Sequence, residues 1–155
     1  MKLSTKGRYA VMAIVDLARQ KNDRPTALAE IAKRQDISLS YLEQLFAKLR
    51  RGGLVRSVRG PGGGYMIARS AENIRVSEVM LAVDPPPHNT ACNPADPKGC
   101  CNLADPCATH DLWAALADQM YGFLDSISIA EVRDRRVRSA MTDDDPVQAD
   151  RAAAS

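Results

Sequence analysis

Hydrophobic positions in the first fifty residues recur at helical spacing. Tyr9, Met12 and Val15, with Ala13, Ile14 and Leu17, form a broad apolar face that predicts a helix ending at Arg19, opened by Ser4 or Thr5 as cap. Pro25 and Thr26 read as the start of a short second helix with Leu28, Ile31 and Ala32 inward. Gln35-Asp36-Ile37 suits a tight turn, and a third helix follows. Ser40 and Glu43 fit a capping box there; Leu42, Leu45, Phe46 and Leu49 form the buried stripe, with Tyr41, Glu43, Gln44, Lys48 and Arg51 outward, and Gly52-Gly53 ends it.

The period then changes. Leu54 to Arg59 reads as a strand and Gly64 to Ala68 as its return, joined by Gly60-Pro61-Gly62-Gly63, whose glycines permit positive φ. Two helices joined by a turn and followed by such a hairpin make a winged helix-turn-helix, in which the third helix fits a major groove and an arginine on the wing suits the minor groove. The glycine run lacks the Lys-Ser/Thr of a P-loop and joins strand to strand, so a nucleotide cradle fits poorly and a plain hairpin turn fits well. Val76 to Val83 predicts a short helix with Ser77 as a candidate cap, stopped at Asp84-Pro85-Pro86-Pro87, where the prolines form an extended spacer.

Beyond the spacer, Trp113, Leu116, Met120, Phe123 and Ile127 step by 3, 4, 3 and 4, a heptad seam widened by Leu112 and Leu124. Such a helix either packs on its own domain or pairs two copies; the second is favoured because a small reader needs a partner to engage two half-sites. Ser128 and Glu131 form a second capping box, with arginines near the end of the helix they open. The fold class expected is mainly α with a small β-hairpin: a winged helix-turn-helix plus a long C-terminal dimerisation helix. The expected division is a reader over 1–84, a loop over 85–109, the dimerisation helix and a following short helix over 110–140, and a disordered tail over 141–155.

Charge sharpens this division. Residues 1–83 carry 15 Lys/Arg against 7 Asp/Glu, and residues 84–155 carry 6 against 12, an asymmetry hidden in the overall +2. A basic half suits a polyanion, because each cation that neutralises a phosphate releases condensed counterions. Few aromatics make the core aliphatic. No apolar run approaches a bilayer span and the N-terminus lacks a secretory pattern, so the expectation is a cytoplasmic chain with no membrane partner. No triad, paired catalytic carboxylates or substrate-pocket motif is present; neither an enzyme nor a small-molecule substrate is expected.

The loop carries the chemistry. Cys92 is followed after seven residues by Cys100-Cys101, after five more by Cys107, and after two more by His110. Reduced cytoplasmic thiols point to metal or redox chemistry, and a vicinal Cys100-Cys101 disulfide would be strained. The absence of a C-x-x-C pair argues against a zinc ribbon. By spacing alone an iron-sulfur cluster, a Cys₃His zinc site and a redox thiol switch remain open. His88, beside the prolines, reads as solvated.

Four blocks carry a resemblance: Lys6 to Ala10, Ile37 to Phe46, Val58 to Tyr65, and Cys107 to His110. Over residues 1 to about 131 the chain resembles the bacterial iron-sulfur cluster regulators of the IscR type, whose siblings include nitric-oxide sensors; Cys107-x-x-His110 favours the former. The resemblance implies a homodimeric winged-helix transcription factor that holds a 2Fe-2S cluster through Cys92, Cys101, Cys107 and His110, binds a double-stranded DNA operator, and represses the cluster-assembly operon when loaded. It places Ser38, Ser40, Tyr41, Glu43 and Gln44 on the recognition helix and Arg59 on the wing, with Glu43 disfavouring one class of site. One departure stands out: eight residues separate Cys92 from Cys101, where the family has five, so Cys100 is a possible substitute for Cys101 as second ligand.

Overall fold

A computed structural model describes residues 4–20, 24–84 and 108–137, in the order α1 (Thr5–Arg19), α2 (Leu28–Gln35), α3 (Leu39–Arg51), β1 (Val55–Val58), β2 (Gly64–Ile67), α4 (Val76–Val83), α5 (His110–Ser126) and α6 (Ile129–Arg133). A single 3₁₀ turn, Ala71–Asn73, precedes α4. The described residues are mostly helical with one two-stranded hairpin, as their periodicities require.

α1 begins where Ser4 accepts the Gly7 backbone N–H at 3.1 Å, and its apolar face supplies the fully buried Ala10, Ala13 and Ile14. These meet Ile31 of α2, Leu42, Phe46 and Leu49 of α3, and Val79 and Val83 of α4 in one core. α2 opens two residues later than the Pro25-Thr26 reading, with Ala27 as cap. The reason is tertiary: Thr26 N donates to Tyr65 O at 2.9 Å and Tyr65 N to Thr26 O at 2.8 Å, so Thr26 serves as a third strand position beside the wing.

A buried carboxylate locks α1 to α2. Asp16, only 5 % exposed, accepts from Arg34 Nη2 at 2.7 Å, from Arg34 Nε at 3.1 and 3.2 Å, and from Gln35 Nε2 at 3.0 Å. That hydrogen bonding to Asp16 holds the Arg34 guanidinium above its ordinary value. Asp16→Asn should cost about 2 kcal/mol, because the fork loses its charged acceptor while Arg34 stays partly desolvated. Urea unfolding would check this; an unchanged midpoint would show that the pair adds nothing to stability.

The turn after α2 puts Asp36 at φ 53°, and α3 then starts at Ser38, whose hydroxyl accepts the Tyr41 N–H at 3.3 Å. Ser40 lies inside the helix, which corrects the Ser40-Glu43 capping box. The earlier start buries both Ile37 and Leu42, residues N′ and N4, as a hydrophobic staple. α4 is likewise capped from Arg75, whose N–H donates to Glu78 Oε1 at 3.1 Å. Ser77 is instead a buried link to α5, donating to Asp125 Oδ1 at 2.6 Å.

Ser128 does open α6: its hydroxyl accepts from Glu131 N at 3.2 Å, and its own N–H donates to Glu131 Oε2 at 2.8 Å. That N–H, and then the Ser128 hydroxyl, which donates to Glu131 Oε2 at 2.7 Å, hold the Glu131 carboxyl below its ordinary value. The α5–α6 junction joins the reader through Val76 N to Ile127 O at 3.0 Å and Ile129 N to Ile74 O at 2.9 Å. The Pro85–Pro87 spacer and the expected tail lie outside the described residues.

Candidate nucleic-acid interface and metal centre

α3 presents two faces. Leu42, Leu45, Phe46 and Leu49 are buried, while Ser38, Ser40, Glu43 and Gln44 are exposed together along its first two turns. Tyr41 is half-buried rather than outward: its ring meets Tyr9 of α1 edge-on at 5.8 Å and 87°. Tyr41 therefore supports the helix from the side while its edge borders the exposed face. Lys48 is also half-buried, because its Nζ donates to the Val83 carbonyl oxygen at 2.8 Å. The exposed cations of the C-terminal turn are Arg50 and Arg51.

The hairpin pairs Val55 with Ile67, Arg56 with Met66, Ser57 with Tyr65 and Val58 with Gly64. Gly60 and Gly62 take φ of 106° and 72° at its tip, where only glycine turns without strain. Exposed Arg59 sits at the start of that turn. Phe46 meets Tyr65 edge-on at 4.9 Å, so the buried side of α3 and the wing are held as one unit. An exposed helix start bearing hydroxyls, a carboxylate and an amide, backed by arginines and flanked by a rigid basic hairpin, has the form and charge of a duplex-reading surface.

Of the segment expected to carry the donors, only the margins lie among the described residues. Cys92, Cys100, Cys101 and Cys107 lie outside the described residues, and His110 is the first residue of α5. No metal-holding group of three or more His, Cys, Asp or Glu occurs among the described residues. What can be placed is the framework. α4 ends at Asp84, where the loop leaves, directly beside the Lys48–Val83 bond to α3. α5, where the loop returns, is bonded to α4 through Ser77 and Asp125. Burial, and then the nearby Asp84 carboxylate, push the Tyr121 phenol up.

The heptad seam divides. Trp113, Leu116 and Phe123 are 39, 38 and 42 % exposed, Leu112 is 62 % exposed, and Met120 is half-covered. Ile127 is different: it is 8 % exposed, lies one residue past α5 and packs in the chain's own core. Its place on the expected dimer seam is corrected, because the backbone leaves helical geometry at Ile127 to pair with Val76.

A family model described as an iron-dependent transcriptional regulator, Rrf2, matches residues 3–135. The chain belongs to the Rrf2 family. It is 51 % identical over 132 residues to the HTH-type transcriptional regulator IscR of Escherichia coli, covering 85 % of this chain and 80 % of that protein. Among solved structures it is similar to IscR of T. potens, with a TM-score of 0.71 and 36 % identity over 87 % of this chain and 88 % of that one. It is also similar to CymR, the global cysteine regulator of B. subtilis, with a TM-score of 0.72 and 30 % identity over 87 % and 98 %. As an Rrf2 protein the chain is a DNA-binding transcriptional regulator, not an enzyme. No helix among the described residues is long and apolar enough to cross a membrane.

Sequence reasoning missed three residues that shape this surface: Thr26, which braces the wing; Asp16, which fixes α2; and the Lys48 link to α4. Asp16 alone gave a signal, a charge amid an otherwise apolar helix face.

Proposed function

We propose that this Rrf2 protein is a homodimeric iron-sulfur-cluster sensor that represses the cluster-assembly operon when loaded with a 2Fe-2S cluster. The organisation proposed is a reader over 1–84, a ligand loop over 85–109 and a dimerisation region from 110. The observation that carries the reading is the loop's framework: the donor segment leaves from the helix that Lys48 ties to α3 and returns at His110 on the helix bearing the exposed apolar face.

The donor set fits the group. Cys92, Cys101 and Cys107 would supply the thiolates that iron-sulfur centres require, with Cys100 able to replace Cys101, and His110 would supply an imidazole that can be protonated away. When bound, the cluster supplies a redox- and iron-responsive tie between these donors. The chain's residues do the rest. Trp113, Leu116, Met120 and Phe123 cover one another across the two copies and so set the spacing of the two α3 helices. Ser38, Ser40, Glu43 and Gln44, bordered by Tyr41, face base edges in the major groove, and Arg59 enters the minor groove. A coupling of about 1 to 3 kcal/mol between loop occupancy and α3 spacing is enough for a useful switch.

Anaerobic purification with iron and sulfide counts, an absorption spectrum and gel shifts on duplexes selected from a random pool tests the proposal. A colourless, iron-free protein that still binds its duplex normally would overturn it. That outcome would favour a thiol-redox regulator of the same fold, a reading supported by the likeness to CymR, for which an oxidised form from Staphylococcus aureus is among the solved structures. Arg59→Ala should weaken binding about tenfold and lower the salt slope by about one, measured by fluorescence anisotropy over a salt series.

A further inference from the structure

Leu39 is 43 % exposed, and it is the one large apolar side chain so exposed among the described residues of α3 and the wing. Its position is unusual because the helix start gives it no structural task. Ser38 already caps the helix, and Ile37 and Leu42, at 6 % and 0 % exposure, already form the staple that fixes the entry of the chain. A leucine at the first helical position points back past the N-terminal end of the helix, since Cα–Cβ bonds tilt that way. It therefore projects beyond Ser38, in the company of exposed Ser40 and Glu43.

In a helix-turn-helix the N-terminal residues of the second helix are those that reach base edges. The exposed groups beside Leu39 are hydroxyls and a carboxylate, which read donors and acceptors but have nothing for a methyl group. The major groove presents one apolar feature, the C5 methyl of thymine, and an aliphatic side chain is its complement. The exposed arginines 50 and 51 at the far end of α3, with 56 and 59 on the wing, give these elements a charge that attracts phosphate, which argues for duplex DNA as the occupant over a second protein.

We infer that Leu39 is a specificity-determining residue that reads a thymine methyl group in each half-site. This rests on the reading of α3 as the base-contacting helix. Leu39 adds a sequence preference that the polar residues of α3 do not provide.

The test uses the full-length protein and the best duplex selected from a random pool, with each thymine replaced in turn by deoxyuridine, which lacks only the methyl. At one symmetry-related position, deoxyuridine should weaken binding about fourfold for each methyl removed, the worth of one buried methyl. Leu39→Ala should bind the thymine duplex about as weakly as wild type binds the deoxyuridine duplex, and should no longer distinguish the two. Leu39→Met, which keeps an apolar reach, should restore most of the discrimination. If wild type binds the selected duplex but is indifferent to deoxyuridine everywhere, the inference fails and the reading of α3 stands. Equal loss from deoxyuridine in wild type and Leu39→Ala would assign the methyl to another side chain. Failure to select any duplex would overturn both.

Discussion

Cys107→Ala is expected to lower iron and sulfide from about two of each per chain to near zero and to abolish the visible absorption of the anaerobically purified protein. Cys100 can stand in for its neighbour Cys101 but not for Cys107, the cysteine nearest His110 in the chain, so loss of that thiolate should leave the proposed site open. Thermal unfolding of the cluster-free forms of variant and wild type should coincide, because the core among the described residues is assembled from residues before Asp84 and from Leu124 on. At the operator preferred by the loaded form, affinity should fall about 5- to 150-fold, the range of ordinary coupling energies, while some duplex binding persists. Loss of binding to every duplex would contradict the proposed separation of sensing from reading.

Gly64→Ala should have the largest effect on the reader itself. A Cβ built on Gly64 would lie 2.3 Å from the Thr26 carbonyl oxygen and 2.8 Å from Ala27 N, both backbone atoms that cannot rotate aside. The variant must separate the wing from the segment before α2, which breaks the two Thr26–Tyr65 hydrogen bonds and loosens Tyr65 from Phe46. Overpacking together with lost buried hydrogen bonds gives a cost of about 3 kcal/mol, a large part of the 5 to 15 typical of a domain. Duplex binding should fall more than tenfold, because Arg59 moves with the hairpin. Gly62→Ala is the control: its φ of 72° is strained for alanine, yet a Cβ there meets nothing within 4 Å. It should cost only about 1 kcal/mol. Chemical denaturation and anisotropy on the two variants would show whether close approach or turn geometry dominates; equal effects would refute the clash.

Much of the architecture was readable without coordinates. The stripe Leu42-Leu45-Phe46-Leu49 repeats at helical spacing and is buried, as are Ala13, Ile14, Val15 and Leu17 of the first helix's apolar face, on which Tyr9 and Met12 are half-buried. The hairpin was legible because alternation between glycine clusters has few other solutions. The differences fell mainly at helix ends. Two serines, Ser38 and Ser40, both satisfied the local rule for a cap, and the choice between them depended on burying Ile37. Ser77 resembled a cap but was needed by Asp125, forty-eight residues away. Ile127 continued the heptad spacing, yet its backbone was taken by Val76.

For the candidate site, the residue types of the proposed recognition face and donor set stand in the sequence: hydroxyls, a carboxylate and an amide on one helix, an arginine beside a glycine turn, and four thiols and an imidazole within nineteen residues. Periodicity and capping act over three or four residues, so a linear reading captures the elements and which face of each is apolar. Which elements touch is decided by partners far apart in the chain. Arg34 on Asp16, Tyr65 on Thr26 and Val83 on Lys48 join positions 18 to 39 residues apart. Such pairs follow from how whole helices close around a shared core, and no local pattern distinguishes the Thr26 that braces a wing from one that caps a helix. The sequence determined the parts and their chemistry; only the tertiary structure decided how α3, the proposed reading helix, is held against its wing and tied to the end of α4.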